Sequence, residues 1–483
     1  MMAVAQRFSL VLLAIATGGC ALFGEDSPRA QLALMPAIEQ TLARTSTEMA
    51  VQGSWPEQRW WTAFGNPTLN GLIATALAGN PNLKVAEARL QQAETLADFE
   101  AADLYPTVDA NVSFAAQRFS ADSVQAKFAG QHFRHLLVNP LVLRYHLDFW
   151  GRDQASLQSA VDRSLAASAE LADARLLLAV AVAGAYFDLL AAAEESEVAE
   201  HIVADRETLY RLEQSRRAAG LIGETPLWQA ERNLRAAQQA AAGLRAEQEL
   251  RRNQLAALAG QGADWGTRIG IDAKVVPQAL ALPADLPLRL LARRPDLHAA
   301  RLQAEAAAED IHVAKTAFYP DVNLLAFTGF HSVSLIDIAL QGSSLAYAVG
   351  PSVELPIFEG GRLRAQLGYR KAAYDLAVQR YNAGLLHAVQ DVADALSRWR
   401  ELDTKAAAQQ QAVAAAEAQS RLSESLMRNG LHDCSKLVLA RLEASRERLL
   451  LAGLAAEQHK NAVSLIKALG GGYQAAAESA NQP

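Results

Sequence analysis

The chain has 483 residues, 51% apolar but only 6% aromatic, and a formal net charge of −7. That balance, with no basic stripe interleaved with aromatics, argues against a nucleic-acid partner. The sequence also lacks a Gly-rich phosphate loop after a strand, a His-Glu-x-x-His pair and a Gly-x-Ser-x-Gly elbow, so nothing in it points to an enzyme or to a metal centre.

Residues 1–19 read as a signal peptide, with Arg7 as its positive charge and Leu10 to Ala16 as a short apolar core. Gly18 and Gly19 precede Cys20, as small residues do in a bacterial lipobox, although Thr17 stands where leucine is usual. Cys20 is therefore expected to carry an acyl lipid, a covalent diacylglycerol anchor rather than a cofactor. That leaves Cys434 alone, without a disulfide framework. Leu176 to Phe187 is the longest later apolar run, about twelve uncharged residues, and is expected to be a buried helix face rather than a membrane span.

The chain is written twice. Asn80-Pro81-Asn82-Leu83 opens a helical stretch ending at Tyr105-Pro106, and Arg294-Pro295-Asp296-Leu297 opens another ending at Tyr319-Pro320. Proline stops each helix, since it lacks an N–H and disfavours helix before it. Pro81 and Pro295 lie 214 positions apart, as do Pro106 and Pro320. Later landmarks, Gly151-Arg152 against Gly361-Arg362 and Gly220-Leu221 against Gly430-Leu431, lie 210 apart. A length change between Pro106 and Gly151 marks a loop there.

Each repeat predicts a helix (80–104 and 295–319), a β-hairpin (107–150 and 321–358), a long helix (155–217 and 363–428) and a shorter one (224–260 and 433–468). An inter-repeat linker occupies 261–294, and 470–483 reads as a flexible tail because Gly470-Gly471-Gly472 opens it. The long helix would extend about 95 Å at 1.5 Å per residue, which the two shorter helices match if stacked end to end.

The strands alternate. Val108, Ala110, Val112 and Phe114 oppose Asp109, Asn111 and Ser113. Leu141, Leu143, Tyr145, Leu147 and Phe149 oppose Arg144, His146 and Asp148, and Val349, Val353, Leu355 and Ile357 oppose Ser352 and Glu354. Period two gives one apolar and one polar face; after Pro320 the pattern is less clean, since Asn323 and Leu325 would share a face. Four such strands cannot close a membrane barrel, because an open edge leaves backbone groups unpaired in lipid. Twelve strands from three chains can, with Asp109, Asn111, Arg144, His146, Asp148 and Glu354 facing the lumen and Pro106, Gly151, Pro320 and Gly361 at the helix–strand junctions.

The sequence resembles the outer-membrane factors of tripartite efflux pumps, the TolC-like family, and within it the NodT/OprM-type lipoproteins. The resemblance rests on Trp60-Trp61-Thr62-Ala63-Phe64-Gly65-Asn66-Pro67, Asn80-Pro81-Asn82-Leu83, Leu282-Pro283, Leu290 to Leu297, and Pro356-Ile357-Phe358-Glu359-Gly360-Gly361-Arg362. It implies a mainly α protein with a membrane β part: a homotrimeric twelve-stranded barrel on a long periplasmic helical barrel, with 20–79 as a lipid-anchored segment and equatorial region. It also implies residence in the outer membrane of a Gram-negative bacterium, a periplasmic adaptor and an inner-membrane transporter as partners, and passive export of small toxic molecules. The Leu147 to Arg152 junction is similar to members linked to aromatic-acid and drug export.

The resemblance places a periplasmic gate at the helix turns. Candidates are Arg217, Gly220 and Glu224 in the first repeat, and Arg428, Asn429, Gly430, His432, Asp433, Lys436 and Leu439 in the second. The family often has aspartate where this chain has Leu439, so an apolar ring or Asp433 is the expected substitute, with Lys436 opposing a purely acidic ring. His432-Asp433-Cys434 does not read as a metal site, since adjacent helical residues do not share a face. His132 and His135, with Lys127 and Arg134, fall in the expected loop between the first two strands and make it mildly basic. The competing reading is a lipid-anchored periplasmic coiled-coil adaptor.

Overall fold

The structure, a computed structural model, describes residues 28–36, 55–272, 275, 293–332 and 342–475, except positions 119, 121, 123–126, 128, 129 and 131. The signal peptide, Cys20, Leu282-Pro283, Leu290 to Ala292 and the last eight residues of the expected tail lie outside the described residues.

In chain order the principal elements are α1 (Pro67–Gly79), α2 (Pro81–Ala102), β1 (Thr107–Arg118), β2 (His132–His146), α3 (Arg152–Ala218), α4 (Glu224–Leu258), α5 (Pro295–Thr316), β3 (Asp321–Ser332), β4 (Leu345–Glu354), α6 (Arg362–Arg428) and α7 (Cys434–Ala468). The two halves of the chain give helices of equal length: 22 residues for α2 and α5, 67 for α3 and α6, 35 for α4 and α7. Local chemistry sets their ends. Asn66 caps α1, its side chain accepting from the Leu69 N–H, with Pro67 at the first helical position. α2 and α5 stop short of 104 and 319, because tight turns close ahead of each proline: Tyr105 N–H donates to Ala102 O at 3.0 Å and Tyr319 N–H to Thr316 O at 3.0 Å.

The chain divides into two compact units. The first holds 91–166 and 300–381, with residues 28–32, and contains the sheet. Its four strands are antiparallel in the order β1-β2-β3-β4. The register slips between Val138 and Leu141, where Asn139-Pro140 forms a bulge; proline, with no N–H to donate, is tolerated there. Gly329 lies opposite. A Cβ on it would meet Asn139 Oδ1 at 2.2 Å and Val138 O at 2.4 Å, so this crossing requires glycine. His132 to His135 belong to β2, not to the loop the sequence suggested.

The second unit holds 167–299 and 382–475, with the described residues from 33 to 90. Its core joins Trp60, Phe64, Leu69 and Ile73 to Leu176, Val182, Tyr186, Phe187 and Leu189 of α3 and to Val463 and Ile466 of α7. Each fully buried large side chain contributes about 1.5–3 kcal/mol. An 18-residue window of α3 has a mean hydropathy of 2.1, apolar enough by length and composition alone to cross a membrane, yet its buried side chains make it the buried helix face the sequence led one to expect. Leu176, Val182, Ala183, Tyr186, Phe187 and Leu189 in this helix are buried core residues.

The glycine run also departs from the expected free tail. Gly470, Gly471 and Gly472 all have positive φ and pack against Arg293, Leu176 and Glu57.

Asp173 lies in this unit. Burial, then repulsion from Asp296, pushes its carboxyl up to about 6 against the pull of Arg294 and Lys467. A raised carboxyl pKa favours the fold below the ordinary value and loses that advantage as pH rises through 6. Asp173→Asn is therefore expected to raise stability by about 2 kcal/mol at pH 8 and to leave it unchanged below pH 4. Thermal unfolding at the two pH values checks this; an equal shift at both would contradict it.

Candidate functional site

Register sorts the strand residues onto two faces. Val108 pairs with Leu143, Leu143 with Ala326 and Ala326 with Val349, so these share one face. Alternation adds Val112, Phe114, Leu141, Tyr145, Leu324, Tyr347 and Val353 to it. Val112, Phe114, Leu141, Tyr347, Val349 and Val353 are exposed. Asp109, Asn111, Arg144 and His146 lie on the other face with Asn323, Ser352 and Glu354. This face is mixed, since Val142, Leu325 and Phe327 share it. Arg144 donates to Asp109 Oδ2 at 2.9 Å, and Asn111 pairs with Asn139 across the strands. The outer edges of β1 and β4 have no strand partner among the described residues.

Asp148 is not on a strand, contrary to the sequence expectation. β2 ends at His146, and the Asp148 carboxylate accepts the N–H groups of Arg152, Asp153 and Gln154 at 2.6, 3.0 and 3.1 Å. Those N–H groups have no partner inside the helix, which is what draws a carboxylate to this end of α3. His146 bridges the junction, with Nδ1 on Asp153 and Nε2 2.9 Å from Asp321. His146, Asp148 and Asp153 are close enough to hold a metal ion, but each is already engaged by these contacts. Gly151 (φ 73°) and Gly361 (φ 90°) turn the chain into α3 and α6. Pro106 precedes β1, and Pro320, preceding β3, accepts from the Trp150 indole at 2.8 Å.

The two helix turns close alike. Gly220 and Gly430 each have φ 72°. Gly220 N–H donates to Arg217 O at 3.0 Å and Leu221 N–H to Arg216 O at 2.9 Å; Gly430 N–H donates to Met427 O at 3.0 Å and Leu431 N–H to Leu426 O at 2.9 Å. This is the left-handed glycine cap that satisfies terminal carbonyls. Several candidate side chains are used locally. Arg217 pairs with Glu224 at 3.3 Å, Arg428 with Glu424 at 3.1 Å, and the Asn429 amide donates to Ser425 O at 3.0 Å. Asp433 caps α7, accepting from the Lys436 N–H. Leu439 is exposed, and His432 Nδ1 is buried without a hydrogen-bond partner.

Asp433 also joins the two turns, because Arg216 donates to its Oδ2 at 2.9 Å. Hydrogen bonds from Ser435, then Lys436 N–H and Arg216, hold its carboxyl below the usual range. Sequence reasoning singled out Arg217 and passed over Arg216. No local pattern could find it, since its partner lies 217 positions away.

The profile of the family described as "Outer membrane efflux protein" matches residues 72–261 and 286–471. The multidrug resistance outer membrane protein MdtP of Escherichia coli O6:H1 is 32% identical over 468 residues, covering 95% of this chain and 94% of that protein. The fusaric acid resistance protein FusA of Burkholderia cepacia is 32% identical over 369 residues, covering 75% of this chain and 69% of that one. The solved outer membrane protein VceC of Vibrio cholerae superposes with a TM-score of 0.79 at 30% identity, covering 87% of this chain and all of that one. The chain belongs to the outer membrane efflux protein family, and it is an outer-membrane channel of an efflux system.

Proposed function

We propose that three copies of this chain close a twelve-stranded barrel around a wet lumen and pass small toxic molecules, drugs or aromatic compounds, outward without chemistry of their own. The observation that carries this reading is the four-stranded sheet, with its exposed apolar face and two edges that find no strand partner among the described residues. Unpaired edges are untenable in lipid, and single-chain barrels need at least about eight strands. The multidrug and fusaric acid resistance in the relatives' names supports the cargo class. A periplasmic adaptor and an inner-membrane transporter supply coupling and energy. The mass of the detergent-extracted complex tests the assembly. Three chains are expected, whereas a single chain that stays soluble without detergent would favour the coiled-coil adaptor.

Cys20 anchors the mature chain through an acyl lipid in this reading. Cys20→Ser is expected to remove the added acyl mass from the purified protein; an unchanged mass would end the lipoprotein assignment.

The Arg216–Asp433 tie resists separation of the two turns and so biases the gate shut. An exposed ion pair is worth about 0–1 kcal/mol, so Arg216→Ala is expected to raise channel opening by up to about five-fold per subunit. Arg211→Ala, which breaks only a pair within its own helix, is the control. The tie is present above the ordinary carboxylate range and weakens as pH falls through the lowered Asp433 value. Equal opening by the two variants would refute this role.

A further inference from the structure

The hairpin of β1 and β2 ends, away from the helices, in an unusual set of side chains. Arg118 pairs with His132 and Ala116 with Arg134. Val112 pairs with Val138 and Phe114 with Leu136 in the same phase, so Arg118, His132 and Arg134 stand on the apolar face. The Asn139-Pro140 bulge makes this so, because it shifts the phase of β2 by one residue. All three side chains are exposed. Neither arginine has an ion pair among the described contacts. Lys127 adds another cation in the connecting segment, and Asp122 is the one acid among the described residues from 114 to 138.

The spacing fixes their depth. From Val108 to Arg118 the strand rises about 33 Å at roughly 3.3 Å per residue, which a tilt of about 40° reduces to about 25 Å, the height of the apolar band of an outer-membrane barrel. The helix–strand junctions mark one membrane interface, so Arg118 and His132 fall at the opposite one and Arg134, opposite Ala116, about 5 Å inside it, all facing outward into lipid rather than inward to the lumen. A bare guanidinium on a lipid-facing surface needs an anion at that level.

We propose that Arg118 and Arg134, assisted by His132, form a docking surface for the phosphate groups of a phosphorylated glycolipid in the outer leaflet. This rests on the barrel reading above. The apolar residues below, Val112, Phe114, Leu136 and Val138, would take its acyl chains, and the two guanidinium groups its phosphate oxygens by paired N–H donation.

The test uses the full-length complex in detergent, with bisphosphorylated lipid A as probe. Binding to wild type and to the R118Q/R134Q double variant is compared, with monophosphoryl lipid A, phosphatidylglycerol and inorganic phosphate as competitors, and the same preparations are assayed for channel conductance. Wild type is expected to bind bisphosphorylated lipid A at least ten-fold more tightly than the double variant, with monophosphoryl lipid A the weaker competitor. Equal binding by the two proteins, or equal competition by phosphatidylglycerol or free phosphate, overturns the proposal while conducting channels leave the barrel reading standing. Preparations that never conduct remove the barrel reading, and this surface with it.

Discussion

Val349→Arg is expected to prevent assembly in the outer membrane, whereas Ser352→Arg, three residues on, is expected to assemble and to change only the ion selectivity of the channel. Val349 lies mid-strand in β4 opposite Ala326 and is 72% exposed. It shares its face with Tyr347 and Val353 and, across the sheet, with Ala326, Leu143 and Val108. An arginine at the bilayer midplane on the lipid face costs about 2–4 kcal/mol, a cost the proposed trimer would bear three times. Ser352 pairs with Asn323 on the opposite face, where water solvates a guanidinium. Fractionation of membranes, followed by urea titration of the refolded protein in vesicles, distinguishes the two. If both variants assemble equally well, the assignment of faces is wrong.

The second large effect lies in the other unit. Gly470→Ala is expected to destabilise the protein by about 2–5 kcal/mol, from two sources. Gly470 has φ +86°, a conformation that costs an L-residue roughly 1–2 kcal/mol. Its added Cβ would also fall 1.9 Å from Arg293 O, a backbone atom just before α5. Overpacking of this kind typically costs about 1–3 kcal/mol, and here no flexible side chain can yield. The neighbouring Arg294 guanidinium, buried between Asp296 and Asp391 at 2.7 and 3.1 Å, leaves that backbone little room to shift. Gly243, exposed inside α4 with nothing within 4 Å of its Cβ position and no positive φ, is the control and should tolerate alanine. Equal denaturation midpoints for the two variants would show that the glycine run is a free tail after all.

These residues also show what sequence can and cannot disclose. Strand faces were legible where alternation is unbroken, as from Leu141 to Tyr145 and at Val349 and Val353. Strict alternation carried back past Asn139-Pro140 puts Leu136 and Val138 on the wet face. The sequence put His132 and His135 in the loop, and only the bulge brings this stretch into β2 with Leu136 and Val138 on the apolar face. Asp148 fitted the alternation and yet caps a helix, because orphan N–H groups at the start of α3 compete for its carboxylate. The glycine run read as a tail because its contacts, with Glu57, Leu176 and Arg293, are far away in sequence. At the turns, Gly220 and Gly430 were legible as breaks, since left-handed caps favour glycine. The Arg216–Asp433 tie between them was not, since charge pairing over such a distance leaves no periodic trace.

The most direct test of the central claim is single-channel conductance of the detergent-purified protein in a planar bilayer, with subunits counted by crosslinking. Discrete ion-conducting steps from a species of three chains are expected. A water-soluble species that never conducts would contradict that claim, because the open sheet would then have found a partner other than copies of itself in lipid.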